Sequence, residues 1–264
     1  AVTHALEESL IMLPFLFGAY LLIEWLEHKA SHHMHAALGG RFGVIGGALA
    51  GCVPQCGFSV AAANLYAGRV ISLGTLLAVF ISTSDEAIPI LLSHPGSLGV
   101  MAQLIAVKLV LAVAAGLLVD FLFKKRLDPA EGPIAETGPV HDHVCGHCHC
   151  SSRGIFASAL YHTVSIYLFI LAVMVLMNLL IESIGEESLG ALLMSGSILQ
   201  PAVAGLVGLI PNCAASVVLT ELFLEGTVSF GAAVAGLTTS VGVGFVVLFR
   251  ANRNVRENLV ILAV

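Results

Sequence analysis

Charge is what this sequence has least of. Among 264 residues only 11% are Asp, Glu, Lys or Arg while 58% are hydrophobic, and the mean hydropathy is +0.97. A soluble globular domain carries roughly 25% charged residues, so a water-facing surface around this chain is excluded. There is no basic patch and no interleaving of aromatic with basic residues, which argues against nucleic acid as a partner. The formal charge of -6 sits in loops and says little about partners. No charged n-region, h-region and cleavage site precede the first apolar run, so no signal peptide is read. A Walker motif, an Asp-Lys-Thr-Gly-Thr phosphorylation sequence, a zincin helix and a Ser-His-Asp set are missing too. The chain therefore reads as a non-enzyme, and any work it does draws on an ion gradient, the membrane potential or another subunit. Six Cys are present, but a disulfide framework is the reading for short secreted chains; three of the six share one loop with four His, which points to metal.

What is present is apolar sequence in long runs. Stretches near 5–26, 70–92, 98–123, 157–182 and 227–249 reach the roughly 20 residues that a membrane helix needs. The runs also repeat. His4 leads to Leu21-Leu22-Ile23-Glu24, and His162 leads to Leu179-Leu180-Ile181-Glu182 at the same spacing. Gly51-Cys52-Val53-Pro54-Gln55-Cys56 is answered by Gly208-Leu209-Ile210-Pro211-Asn212-Cys213, and Ser59, Leu65, Ser72 and Gly74 by Ser216, Leu222, Ser229 and Gly231. A collinear series of this kind reads as duplication.

Loop charge orients the halves. Lys29, Arg41, Arg69 and Lys124-Lys125-Arg126 mark cytoplasmic loops of the first half, and the 93–99 loop has no base. In the second half the signs exchange: Glu186-Glu187 replace the bases of the 28–41 loop, and Arg250, Arg253 and Arg256 fall in the counterpart of 93–99. Equivalent loops then face opposite sides, as in an inverted-topology repeat. Segments 42–66 and 196–225 each carry a Pro-polar-Cys break that leaves arms of about a dozen residues, too short to cross roughly 30 Å of hydrocarbon. They are predicted to form helical hairpins whose tips meet near the midplane. The fold class is thus an all-α integral membrane protein of two inverted repeats, each with three full spans and one broken-helix, re-entrant-like hairpin. Its divisions are a first membrane repeat (1–123), a cytoplasmic His/Cys-rich linker (124–153) and a second, inverted repeat (154–264). Residues 257–264 match only the start of the 98–123 span, so the last helix reads as truncated. The expected location is a prokaryotic inner or plasma membrane, multi-pass, with the bilayer and a metal ion as partners and homo-oligomerisation left open.

Three constellations could carry chemistry. The first is the pair of breaks, Pro54-Gln55-Cys56-Gly57-Phe58-Ser59 and Pro211-Asn212-Cys213-Ala214-Ala215-Ser216. Proline opens the helix, freed backbone groups survive in lipid only beside protein or a water-filled cavity, and paired broken helices mark transporter sites. Cys56 and Cys213 offer thiolate; Gln55, Asn212, Ser59 and Ser216 offer oxygen. Read as packing, the same residues are small kink fillers. The second is Ser82-Thr83-Ser84-Asp85-Glu86, whose two acids are costly at membrane depth and could bind hard cations or carry protons; at the outer end of the span they would be merely interfacial. Asn64 and Glu221 hold matching positions after the breaks and could complete a coordination sphere or face solvent. Lys108 is a candidate counter-ion for the acids, or it snorkels or pairs internally. The third is the linker His141-Asp142-His143-Val144-Cys145-Gly146-His147-Cys148-His149-Cys150. His141, His143, Cys145, His147, Cys148, His149 and Cys150 make it a Zn²⁺-type binder, or a flexible segment that takes up metal adventitiously.

The stretches Pro54–Ser59 and Asn64–Arg69, the Ser82–Glu86 run, the His/Cys linker and Pro211–Ser216 together resemble the ten-span heavy-metal exporter family, whose members also carry arsenic-efflux and manganese-transporter labels. The resemblance implies metal transport more firmly than it implies a substrate. The expected function is secondary-active export of a Mn²⁺- or Zn²⁺-like ion. No cofactor is required, the metal being cargo, with a Zn²⁺-like ion in the linker. An arsenical or small-anion permease and a non-transporting metal sensor are the alternatives.

Overall fold

The computed structural model describes residues 41–54, 57–83, 87–94, 96–123, 155–184, 199–211, 213–252 and 254–263, with single positions 13, 14, 17, 18 and 21. Every regular element among the described residues is a helix. That is the open-chain solution in lipid, where each backbone N–H and C=O must pair within its own segment. The helices are α1 (Arg41–Gly51), α2 (Gly57–Ala67), α3 (Leu73–Ser82), α4 (Ala87–Ser93), α5 (Leu98–Phe123) and α6 (Ile155–Ile184). They continue as α7 (Gln200–Gly208), α8 (Cys213–Leu224), α9 (Phe230–Thr239), α10 (Val243–Ala251) and α11 (Val255–Ala263).

Among the described residues, three stretches are long and apolar enough to cross a membrane: Leu73–Ser93, Leu98–Phe123 and Phe230–Ala251. The 26 residues of α5 extend about 39 Å, and α5 leaves Val110, Leu118, Phe121 and Leu122 exposed, as side chains facing lipid would be. The expected spans 70–92 and 227–249 are both present, but each is interrupted. In the first, the Ser82 and Thr83 hydroxyls both donate to the Val79 carbonyl, at 3.1 and 2.8 Å, and Thr83 turns to ψ 129. In the second, the Thr239 hydroxyl lies within bonding reach of the Ala235 and Gly236 carbonyls, and Gly242 adopts φ 58. Hydroxyls that compete for last-turn carbonyls offer the backbone an alternative to helix. Residues 5–26, the 28–41 loop but for Arg41, and the linker lie outside the described residues, apart from the single positions 13, 14, 17, 18 and 21.

Helix ends recur at one sequence offset, the one that carries Gly51 onto Gly208. At that offset α2 ends with α8, α3 coincides with α9, and α5 starts with α11. The local bonding recurs as well. Ser72 caps α3 by accepting from Thr75 N–H, and Ser229 caps α9 by accepting from Ala232 N–H. After α2, the N–H groups of Gly68 and Val70 donate to the carbonyls of Asn64 and Leu65; after α8, those of Glu225 and Thr227 donate to Glu221 and Leu222. The residue at the left-handed position of these turns is Arg69 (φ 60) in one and Gly226 (φ 78) in the other. Gly51 and Gly208 mark equivalent close crossings. A Cβ on Gly51 would come 2.6 Å from Val79 O of α3, and one on Gly208 would fall on Gly236 O of α9.

Side-chain contacts fix which ends lie together. Asp120, near the end of α5, accepts from Ser72 Oγ (2.8 Å) and Gly74 N–H (2.6 Å), so the start of α3 lies at that end. Arg69 and Glu257 pair there too, which brings in the end of α2 and the start of α11. Gly47 lies on Thr75, and Gly51 on Ser82. Helix α1 therefore enters from the Asp120 end alongside α3, and α2 returns to it. At the opposite end Met101 and Leu104 of α5 pack with Leu91, Leu224 and Phe230. The turn after α8 thus lies at the other end of α5 from the turn after α2. Each hairpin arm packs mainly on another helix: α1 on α3, α2 on α10, α7 on α9, and α8 on both α9 and α4.

Candidate functional site

Four helix breaks gather at the level where the hairpins turn. At the first, Cys52 and Val53 N–H still reach back to Leu49 and Ala50 carbonyls before Pro54. At its equivalent, Leu209 and Ile210 N–H reach Gly205 and Val207 before Pro211. The other two are the interruptions after Thr83 and after Thr239. Helix α5 passes through this level, and Lys108 on it is completely buried. Its ammonium donates to the Thr83 carbonyl and, at 2.7 Å, to the Leu237 carbonyl.

The described members of the candidate site fall as follows. Ser59 is buried in the first turn of α2 against Gly244 in the first turn of α10, where a Cβ on Gly244 would come 2.9 Å from Ser59 Cβ. The N-terminal ends of two half-helices from different halves therefore abut. Cys213 is half-buried at the start of α8, and the buried Ser216 hydroxyl donates to its carbonyl at 2.7 Å. Asn64 is buried; its amide donates to Val60 O at 2.9 Å, while its Oδ1 accepts from nothing among the described residues. A buried acceptor left unpaired costs about 1–3 kcal/mol, so Asn64 is the described candidate whose geometry best suits a ligand. Its counterpart Glu221 is exposed, so the matched pair does not share an environment.

Gln55, Cys56, Asp85, Glu86, Asn212 and the linker ligands His141, His143, Cys145, His147, Cys148, His149 and Cys150 lie outside the described residues. Among the described residues no three of His, Cys, Asp and Glu come together to hold a metal ion. A cavity of about 290 Å³ lies between the halves, but Leu77, Phe80, Ile81, Val241 and Phe245 line it, with Thr238 and Thr239 as its only polar side chains among the described residues. Such walls do not replace the water shell of a divalent ion.

Two polar groupings escaped the reading of the sequence. One is the clasp of Tyr66, Arg69 and Glu257: Arg69 reaches both carboxylate oxygens of Glu257, at 2.6 and 3.0 Å, and the Tyr66 hydroxyl donates to the same carboxylate. Asn254 adds a bond at 3.2 Å. The hydrogen bonds to Glu257 hold the Arg69 guanidinium above its ordinary value, outweighing the opposing effect of burial. In the sequence Arg69 marks only sidedness and Tyr66 is part of a motif; what flags them is a non-glycine at the left-handed position where the other half has Gly226. The second is Asp120, whose bonds to Ser72 and Gly74 show an intramembrane acid serving as a helix cap.

A family model described as "Putative, 10TM heavy-metal exporter" matches residues 155–264, which run from α6 to the end of α11. The motifs Pro54–Ser59 and Ser82–Glu86, which carried the resemblance in the first half, lie outside the match; Pro211–Ser216 lies within it. No curated protein and no solved structure matches the chain.

Proposed function

We propose that this chain is a secondary-active membrane transporter that exports a heavy-metal ion, built as two inverted-topology repeats around a path at the four helix breaks. The observation that carries the reading is the pair of Pro-x-Cys hairpins, alike in bonding and entering from opposite ends of α5. Discontinuous helices at equivalent places in two halves are how transporters expose backbone and polar side chains to a substrate at mid-depth. The family likeness of the second half supports a metal as the cargo class.

In this reading Gln55, Cys56, Asn212 and Cys213 are the cargo ligands, Asn64 contributes its unpaired Oδ1, and Asp85 and Glu86 act as acidic ligands or proton carriers. Amide and carboxylate donors favour Mn²⁺, and joint thiolate coordination favours Zn²⁺. The Tyr66–Arg69–Glu257 clasp closes the Asp120 end, taken as cytoplasmic from the bases at Arg69, Arg250 and Arg256. Apolar contacts among Leu91, Leu104, Leu224 and Phe230 close the other end. Export follows from the donor-rich segment His141–Cys150 being assigned to the cytoplasmic side.

The test is efflux of Mn²⁺ and Zn²⁺ from cells that express the protein and its variants at equal level. Cys56→Ala with Cys213→Ala, or Asp85→Ala with Glu86→Ala, should abolish it. Metal efflux intact in both double variants would refute the assigned site. Efflux of arsenite that survives the Asp85 and Glu86 changes would point instead to a small-anion permease.

A further inference from the structure

We infer that the carbonyl ends of α3 and α9 form a monovalent-cation site between the two halves, and that the Lys108 ammonium fills it as a tethered cation. The inference deepens the proposed transport path and rests on the breaks after Thr83 and Thr239 belonging to it.

Both carbonyls are released by the breaks. Leu237 would bond Val241 N–H if α9 continued, but that N–H turns to Thr239 O instead. Thr83 is the C-cap of α3, and the residue four positions on begins α4. Carbonyls in the last turn of a helix lack intrahelical partners and carry the negative end of its dipole. Here two such ends, from helices at equivalent places in the two halves, aim at one point. An ammonium from a third helix occupies it, fully buried and bonded to both. Carbonyls of half-helix C-termini are the donors that discontinuous transporter helices offer to a coupling Na⁺. A lysine head is a compact point charge with donors on a flexible stem, so it can take the place of a free ion.

Two consequences follow. Metal transport by the native chain should be indifferent to Na⁺ at fixed pH. Without the lysine head, the carbonyls should recruit a cation from solution.

The experiment is thermal unfolding of purified wild-type protein and Lys108→Ala in NaCl, KCl and choline chloride at equal ionic strength. Wild type should melt at the same temperature in all three. Lys108→Ala should lose about 5–10 °C in choline and recover at least half of that in NaCl or KCl. If Lys108→Ala does not accumulate, Lys108→Gln, which keeps a donor without the charge, should show the same recovery. A folded variant as stable as wild type in choline, or one destabilised equally in all three salts, would overturn the cation site. Because no transport is measured in this arm, its failure is separate from failure of the transporter reading. In proteoliposomes, Lys108→Ala flux should become Na⁺- or K⁺-dependent where that of wild type is not.

Discussion

Arg69 is held at φ 60 in a turn whose equivalent has Gly226 at φ 78. A side chain in that region costs roughly 1–2 kcal/mol, and the guanidinium gains both oxygens of a buried carboxylate. The clasp joins the two halves, and the equivalent positions of Tyr66, Arg69 and Glu257 are Phe223, Gly226 and Val100. Arg69→Gly should relax the backbone yet strand Glu257, with a net loss of roughly 2–3 kcal/mol after a loss of about 3–5 from breaking the pair. Adding Glu257→Val, the residue type of the other half, should restore most of it; urea unfolding in detergent reads both. At the crossings, Gly51→Ala and Gly208→Ala should each cost about 1–3 kcal/mol or more, since the new methyl meets backbone carbonyl. Gly205→Ala, with nothing within 4 Å, should be close to neutral. For Asn64 the expectation divides by readout. Asn64→Leu removes an unpaired buried acceptor at similar volume and should leave stability within about 1 kcal/mol, while efflux falls at least tenfold if Oδ1 is a ligand. Unchanged efflux would remove Asn64 from the site.

At the scale of the element, the hairpin breaks were legible and the span interruptions were not. Pro54 and Pro211 announce a lost N–H in sequence, and the helices on either side stop and restart around them. Ser82-Thr83 and Thr239-Ser240 announce nothing, because Ser and Thr sit in many unbroken membrane helices. Whether their hydroxyls bend the chain depends on which carbonyls a neighbouring helix leaves open, and that is tertiary information. The Thr239 hydroxyl, for instance, also reaches Gly205 O on α7, at 2.8 Å. Sequence likewise matched Asn64 with Glu221 correctly by position but could not tell that one is buried and the other exposed, since burial follows from different neighbours at the two ends. Asp120, an acid near the end of α5, caps α3; Asp120→Asn should weaken the α3–α5 contact by about 1–2 kcal/mol, measurable as a lower unfolding midpoint.

For the whole molecule, loop charge assigns connections to sides, while the side-chain contacts place Arg69 with Glu257 at one end of α5 and Leu91 with Leu224 at the other. Single cysteines in a cysteine-free background should follow that grouping. His94→Cys and Thr227→Cys should react with an impermeant maleimide from outside, and Asn254→Cys only after permeabilisation. Labelling of His94→Cys together with Asn254→Cys from one side would contradict inversion, because the two follow equivalent spans of the two halves. The central claim is transport itself, and uptake into proteoliposomes made from the purified chain tests it most directly. With Mn²⁺, Zn²⁺, Cd²⁺ and arsenite presented in turn, with and without a pH gradient, saturable and gradient-sensitive flux of one divalent ion is the expected result. No flux of any of them, with tight metal binding retained by the 141–150 segment, would contradict it and leave a membrane-bound metal sensor.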